Sequence, residues 1–151
     1  MTERDECGQT SRTFPADRYP SQRLTGVIIA SAFSTFRSLG YGFFESVYRR
    51  AMIVELEYRV VPVAKEVSYE VLHRGVPVGY YRADLVVDSK VIVEIKTGAV
   101  LDPVARVQLR NYLSAADLTL GLLIHFGPRG AKVTRVIASD VRRAGQNQDV
   151  V

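Results

Sequence analysis

The sequence predicts an α/β domain in which one β-sheet carries helices on its faces. Three observations predict it. Apolar residues recur at helical spacing up to Tyr58, the period shortens to two after Pro62, and a helical stretch then interrupts the strands before two more follow. The order is α-α-β-β-β-α-β-β, and a sheet covered by helices is the economical way to bury it.

Each element has its own signal. Leu24, Val27, Ile28, Ala32 and Phe36 mark a first helix over Leu24 to Ser38. Leu39-Gly40-Tyr41-Gly42 breaks it, because glycine punctuates and permits positive φ. A second helix runs from about Phe43 to Tyr58, with Phe44, Val47, Tyr48, Ala51, Val54 and Tyr58 expected on one face. Val63 to Leu72 reads as a strand, His73-Arg74-Gly75 as a turn, and Val76 to Val87 as the returning arm of a hairpin. Asp88-Ser89-Lys90 is a second tight turn, leading into the strand Val91 to Lys96. Pro103 suits the first turn of a helix reaching about Ala116. Leu118 to His125 is an apolar strand, Gly127-Pro128-Arg129-Gly130 a loop, and Ala131 to Ile137 the last strand.

The 151 residues fit one domain, expected over 22–140, with a disordered tail over 1–21 and a frayed one over 141–151. The hydrophobic fraction of 47% and a mean hydropathy near zero suit a soluble globular chain. The net charge of +4 permits an anionic partner without demanding one. Cys7 is the only cysteine, which excludes an intrachain disulfide and a thiolate metal cluster and suits a reducing compartment. The polar start MTERDECGQT lacks the apolar run of a signal peptide, and Val27-Ile28-Ile29-Ala30 falls far short of the roughly 20 residues of a membrane helix. A cytoplasmic protein with no membrane association is expected.

The chemistry concentrates where strand meets strand. Alternation puts Arg82, Asp84 and Val86 on one face of the hairpin's second strand, and Ala83, Leu85 and Val87 on the other. In the next strand Ile92, Glu94 and Lys96 share a face. The short turn makes the two strands antiparallel neighbours and sets Asp84 across from Glu94, so Asp84, Glu94 and Lys96 converge. Such a patch is a poor device for stability, since a buried ion pair is often no better than apolar residues of equal volume. Two carboxylates in contact also repel, unless one takes a proton or a cation joins them. Mg²⁺ accepts an Asp, a Glu, waters and a phosphate oxygen. The bland alternative is a solvent-facing Glu94–Lys96 pair with Asp84 unrelated to it.

The spacing D-x9-E-x-K at a strand-turn-strand junction resembles the PD-(D/E)XK nuclease superfamily. More narrowly, Gly42-Phe43-Phe44-Glu45-Ser46-Val47-Tyr48 resembles the signature of the GxxExxY proteins. Tyr81-Arg82-Ala83-Asp84-Leu85, Val91 to Lys96, Gln108 to Leu113 and Gly121 to Gly127 follow in the family's order, so the likeness covers about Leu24 to Ile137. It implies a restriction-endonuclease-like core, α-β-β-β-α-β, with a mixed central sheet flanked by helices and an extra N-terminal helix. It implies a Mg²⁺-dependent nuclease, with Mn²⁺ as a substitute and DNA favoured over RNA. The oligomeric state is left open, a homodimer included. Asp84 and Glu94 are the implied metal ligands, Lys96 the catalytic lysine, Glu45 a supporting acid at the metal, and Gln108 and Tyr112 the family's Q-x-x-x-Y. Arg82 is placed to hold a backbone phosphate, and Arg106, with Lys65, Arg74, Arg110, Arg129 and Lys132, to widen a basic rim. Plain readings stand beside these: Glu45 favours a helix N-terminus anyway, Gln108 borders an apolar helix face, Tyr48 and Tyr112 read as core residues with satisfied hydroxyls, and the basic residues read as solvated surface. The competing function is a nuclease-fold accessory protein that binds nucleic acid without cutting it. The departures from the family, Thr35-Phe36, Tyr41 and Val107, leave Asp84, Glu94 and Lys96 untouched.

Overall fold

In the computed structural model, which describes residues 22–138, the expected order of elements is present. The expected tails at 1–21 and 141–151 lie outside the described residues, as do 139 and 140. Helix α1 spans Gln22–Leu39 and α2 spans Glu45–Tyr58. The strands β1 (Val63–His73), β2 (Val76–Val87) and β3 (Val91–Thr97) follow, then α3 (Val104–Ala116), β4 (Leu120–Gly127) and β5 (Gly130–Ile137). Pro103 precedes α3 as its N-cap.

The sheet runs β1-β2-β3-β4-β5 in space. Neighbours are antiparallel except β3 and β4, which are parallel and joined across the sheet through α3. The β1–β2 and β2–β3 turns carry positive φ at Arg74 and Gly75 and at Asp88 and Ser89, the conformation that matches the twist of the flanking strands.

Helices cover both faces. On one, Ile28 and Ala32 of α1 and Tyr48, Met52 and Leu56 of α2 pack over Leu85, Val87, Val93, Ile95, Leu122, Ile124 and Phe126. On the other, Ala105, Leu109 and Leu113 of α3 cover Ala83, Val86, Ile92 and Leu123. Burial on both sides explains the continuous apolar runs of β3 and β4. No described helix is long and apolar enough to cross a membrane.

Two expectations need correction. The buried face of α2 is Tyr48, Met52 and Leu56, at spacings of four, whereas Phe44, Val54 and Tyr58 are exposed. Their apolar character reads as core, but the face that α2 turns to the sheet is set by Tyr48, Met52 and Leu56, and 44, 54 and 58 fall outside it. The simple alternation along β2 also fails. Val86 packs with Ala83 on the α3 side, while Leu85 and Val87 face α1 and α2. Strict alternation cannot place 83 and 86 together, so the strand turns over between them. Glu66, opposite this point on β1, holds φ 52, and the β1–β2 ladder passes from Lys65↔Leu85 to Val67↔Ala83 without pairing Glu66 to Asp84. The distortion sits opposite Asp84, one of the candidate site residues.

Candidate functional site

Strands β2 and β3 pair only through Leu85↔Val93, Val86↔Ile92 and Val87↔Val91. The next pair in that register is Asp84 and Glu94. There the ladder gives way to side chains. The Asp84 N–H donates to Glu94 Oε1 at 3.3 Å, and the Ile95 N–H donates to Asp84 Oδ2 at 2.8 Å. Each carboxylate thus satisfies a backbone donor that the separating strands leave open, which both relieves those donors and fixes the carboxylates.

The electrostatics are strained. Glu94 is only 6% exposed. Burial, and then the charge of Asp84, push its carboxyl up to about 8, while the Asp84 N–H and the charge of Lys96 pull it back. Lys96 is half-buried two residues along β3 and lines a cleft of about 320 Å³ with Thr97, Leu101, Asp102, Ala105 and Gln108. The structure therefore brings together Asp84 with Glu94, Glu94 with Lys96, and Lys96 with Gln108. Two larger clefts, of about 470 and 660 Å³, lie around Ser89 and Leu118 at the other end of the sheet and contain none of these residues.

The remaining candidates are placed differently. Glu45 is the first residue of α2 and half-buried. The expected set of Glu45, Asp84 and Glu94 is not assembled: among the described residues no three His, Cys, Asp or Glu side chains gather as a metal-holding group. Arg49, one helical turn beyond Glu45, instead reaches Asp84 Oδ1 at 3.3 Å and Glu66 at 3.4 Å. Arg82 is largely exposed and lies 3.7 Å from Glu66. Arg106 is exposed on α3 and does not line the cleft. Tyr112 stacks on Tyr81 at 3.9 Å and its carbonyl accepts the Tyr81 hydroxyl at 3.0 Å. Tyr69 stacks on the far side of this pair at 5.3 Å from Tyr81, and burial raises the Tyr81 hydroxyl far above its ordinary value. His125 is buried, and its ring Nε2 donates to the Gly98 carbonyl at 2.8 Å, tying β4 to the loop after β3.

Arg49 and Glu66 were missed in the sequence. The signal for Arg49 was its place four residues after Glu45 on one helix face; nothing local in the sequence marks Glu66.

The donor set suits a hard divalent cation. Two carboxylates held in contact at a conflicting charge are relieved by such an ion, and Mg²⁺ keeps several waters, so two protein ligands are enough. Asp84 and Glu94 would hold it.

No curated protein matches the chain significantly. Among solved structures it is similar to one described as the crystal structure of SSO0001, at 19% identity and a TM-score of 0.47, over 82% of this chain and 64% of that one. The chain thus spans less than two thirds of that protein. A family model for the PD-(D/E)XK nuclease superfamily matches residues 22–136, through both core faces, the splayed strands and the α3 crossover. On that match, this chain belongs to the PD-(D/E)XK nuclease superfamily.

Proposed function

We propose that this protein is a Mg²⁺-dependent nuclease that hydrolyses phosphodiester bonds, DNA in preference to RNA. Membership of a nuclease superfamily implies a nucleic-acid substrate. Within the superfamily, Gly42 to Tyr48 supports grouping it with the GxxExxY proteins. The observation that carries the proposal is the mutual hold of Asp84 and Glu94 across the parted strands, with Lys96 beside them.

Asp84 and Glu94 would hold the cation, with Glu45 outside the direct ligand set. When bound, the ion supplies positive charge at the scissile phosphate and lowers the pKa of a coordinated water. Lys96 orients the attacking water and balances the charge that develops on the phosphate oxygens. Gln108, sharing the cleft with Lys96, donates hydrogen bonds to the phosphate. Arg82, Arg106 and Tyr112 take outlying roles, the arginines along the strand backbone and Tyr112 in holding α3 to β2.

One observation favours the accessory reading. Arg49 already neutralises Asp84 and Glu66, so part of the acidic cluster is satisfied by the chain itself. Cleavage assays separate the two. Single- and double-stranded DNA and RNA are incubated with Mg²⁺, Mn²⁺ or EDTA, beside a Lys96→Ala protein purified in parallel. The nuclease loses activity in EDTA, and at least about 100-fold with Lys96→Ala. Retained binding with no cleavage by either protein establishes the accessory role. Equal cleavage by both identifies a contaminant and removes the support for catalysis.

A further inference from the structure

The loop between α1 and α2 places three aromatic rings in solvent. Phe44 is 83% exposed, and Tyr41 and Phe43 are 46% exposed each. The backbone beneath them is firmly held. Gly40 and Gly42 take φ values of 71 and 112, closed to most other residues. The Tyr48 hydroxyl donates to the Gly40 carbonyl, and the Phe44 carbonyl accepts the Val47 N–H at 3.0 Å. The Phe43 ring meets Tyr48 edge-on at 6.2 Å.

Position 44 is also the N-cap of α2, and its side chain makes no capping hydrogen bond. A short polar residue would satisfy a free helical N–H and stabilise the helix. The sequence forgoes that and displays a phenyl ring.

The loop adjoins the site. Glu45 shares a helix face with Arg49, whose guanidinium lies on Asp84. Phe44 is five residues from Arg49, a rise of about 7.5 Å along α2. Tyr48 stacks on Phe126 at 4.3 Å, and Phe126 is the register partner of Thr97, the residue after Lys96. The rings therefore stand at the end of the sheet where Lys96 lies, with the exposed Arg50 on the following turn to supply positive charge, Arg49 being paired with Asp84 and Glu66.

Aromatic rings interleaved with cationic side chains bind unpaired nucleotides, because a free base offers its π-face whatever its sequence, and a duplex hides those faces within its stack. We propose that Tyr41, Phe43 and Phe44 form a stacking platform for an unpaired base, so that the substrate is single-stranded nucleic acid. This rests on the nuclease reading above and names the substrate class for it.

The test measures fluorescence anisotropy of labelled single-stranded and duplex oligonucleotides of one sequence. Binding is read with Mg²⁺ in a Lys96→Ala background, so that the strand is not cut. Phe44→Ala lowers single-strand affinity about tenfold and leaves duplex affinity unchanged. Phe44→Trp keeps it. Phe44→Ser separates binding from folding: it raises the melting temperature by supplying the cap, yet loses single-strand affinity like Phe44→Ala. Unchanged single-strand affinity in Phe44→Ala, or equal losses on single strand and duplex, overturns the platform. So does a protein with no affinity for either oligonucleotide. Failure of the nuclease reading shows separately, as selective single-strand binding that depends on Phe44 in a protein that never cleaves. Cleavage that depends on Lys96, with single-strand binding indifferent to Phe44, sinks the platform and leaves the nuclease.

Discussion

At the scale of single residues, Glu94 is the most informative group. Its carboxyl rises from an ordinary 4.5 to about 8, first through burial and then through the neighbouring charge of Asp84. The folded chain therefore holds this proton more tightly than the unfolded chain. Between about pH 4.5 and about pH 8 the native state keeps a proton that the unfolded state has released, so native stability falls as pH rises through that window. The contribution is fully present below the unfolded value and is lost as pH climbs through the folded one. In EDTA, the melting temperature should drop from about pH 5 to about pH 9, and Glu94→Gln, neutral throughout, should flatten that slope. A melting temperature that climbs across this range in the parent, or an equal slope in Glu94→Gln, would show that the proton is not held there.

At the scale of elements, α2 and its preceding loop show what the stretch from Gly42 to Tyr48 does physically. The tyrosine is fully buried, stacks on Phe126 and clasps the Gly40 carbonyl. It locks the loop to the helix and to the end of β4. Tyr48→Phe keeps the stacking and removes the clasp, and should cost about 1 kcal/mol in a denaturant titration. It should also make the loop over 40–44 more readily cleaved by protease. Unchanged stability and protection would mean the hydroxyl is not used as a clasp. The same elements show how far the sequence is legible. The succession of elements along the chain and the place of α3 follow from a change of period and from Pro103, because both are local signals. The facing of Asp84 and Glu94 follows from the length of the Asp88–Lys90 turn, which fixes register. The turning-over of β2 between Ala83 and Leu85 does not follow, because it depends on a positive φ at Glu66, a residue distant in sequence with no glycine to announce it. The Arg49 contact is hidden for a related reason: which turn of a helix meets which strand is set by packing of the whole layer.

At the scale of the molecule, the candidate site lies at a seam. Leu85 and Ile95, beside the acidic pair, belong to the core under α1 and α2, while Ala83 and Ile92 belong to the core under α3. Beyond this seam the β1–β2 hairpin continues without support from β3, with Leu72, Val76, Val78 and Tyr80 exposed. A cation held by Asp84 and Glu94 would therefore bridge two strands where their ladder ends and ease the repulsion between two carboxylates fixed on opposite sides of the gap. Because the unfolded chain does not hold these carboxylates together, an ion bound at this point stabilises the native state by mass action, about 2.7 kcal/mol at a hundredfold excess over its dissociation constant. For a domain of this size that is a rise of several degrees in melting temperature. Mg²⁺ or Mn²⁺ should raise the melting temperature of the parent protein progressively with concentration. The rise should be larger at alkaline than at acidic pH, where the ion must displace a proton from Glu94. Asp84→Asn should abolish the rise while the protein still melts cooperatively in EDTA. An Asp84→Asn protein that gains as much from the metal as its parent would place the ion elsewhere, and the seam would then be held by Arg49 and backbone hydrogen bonds alone.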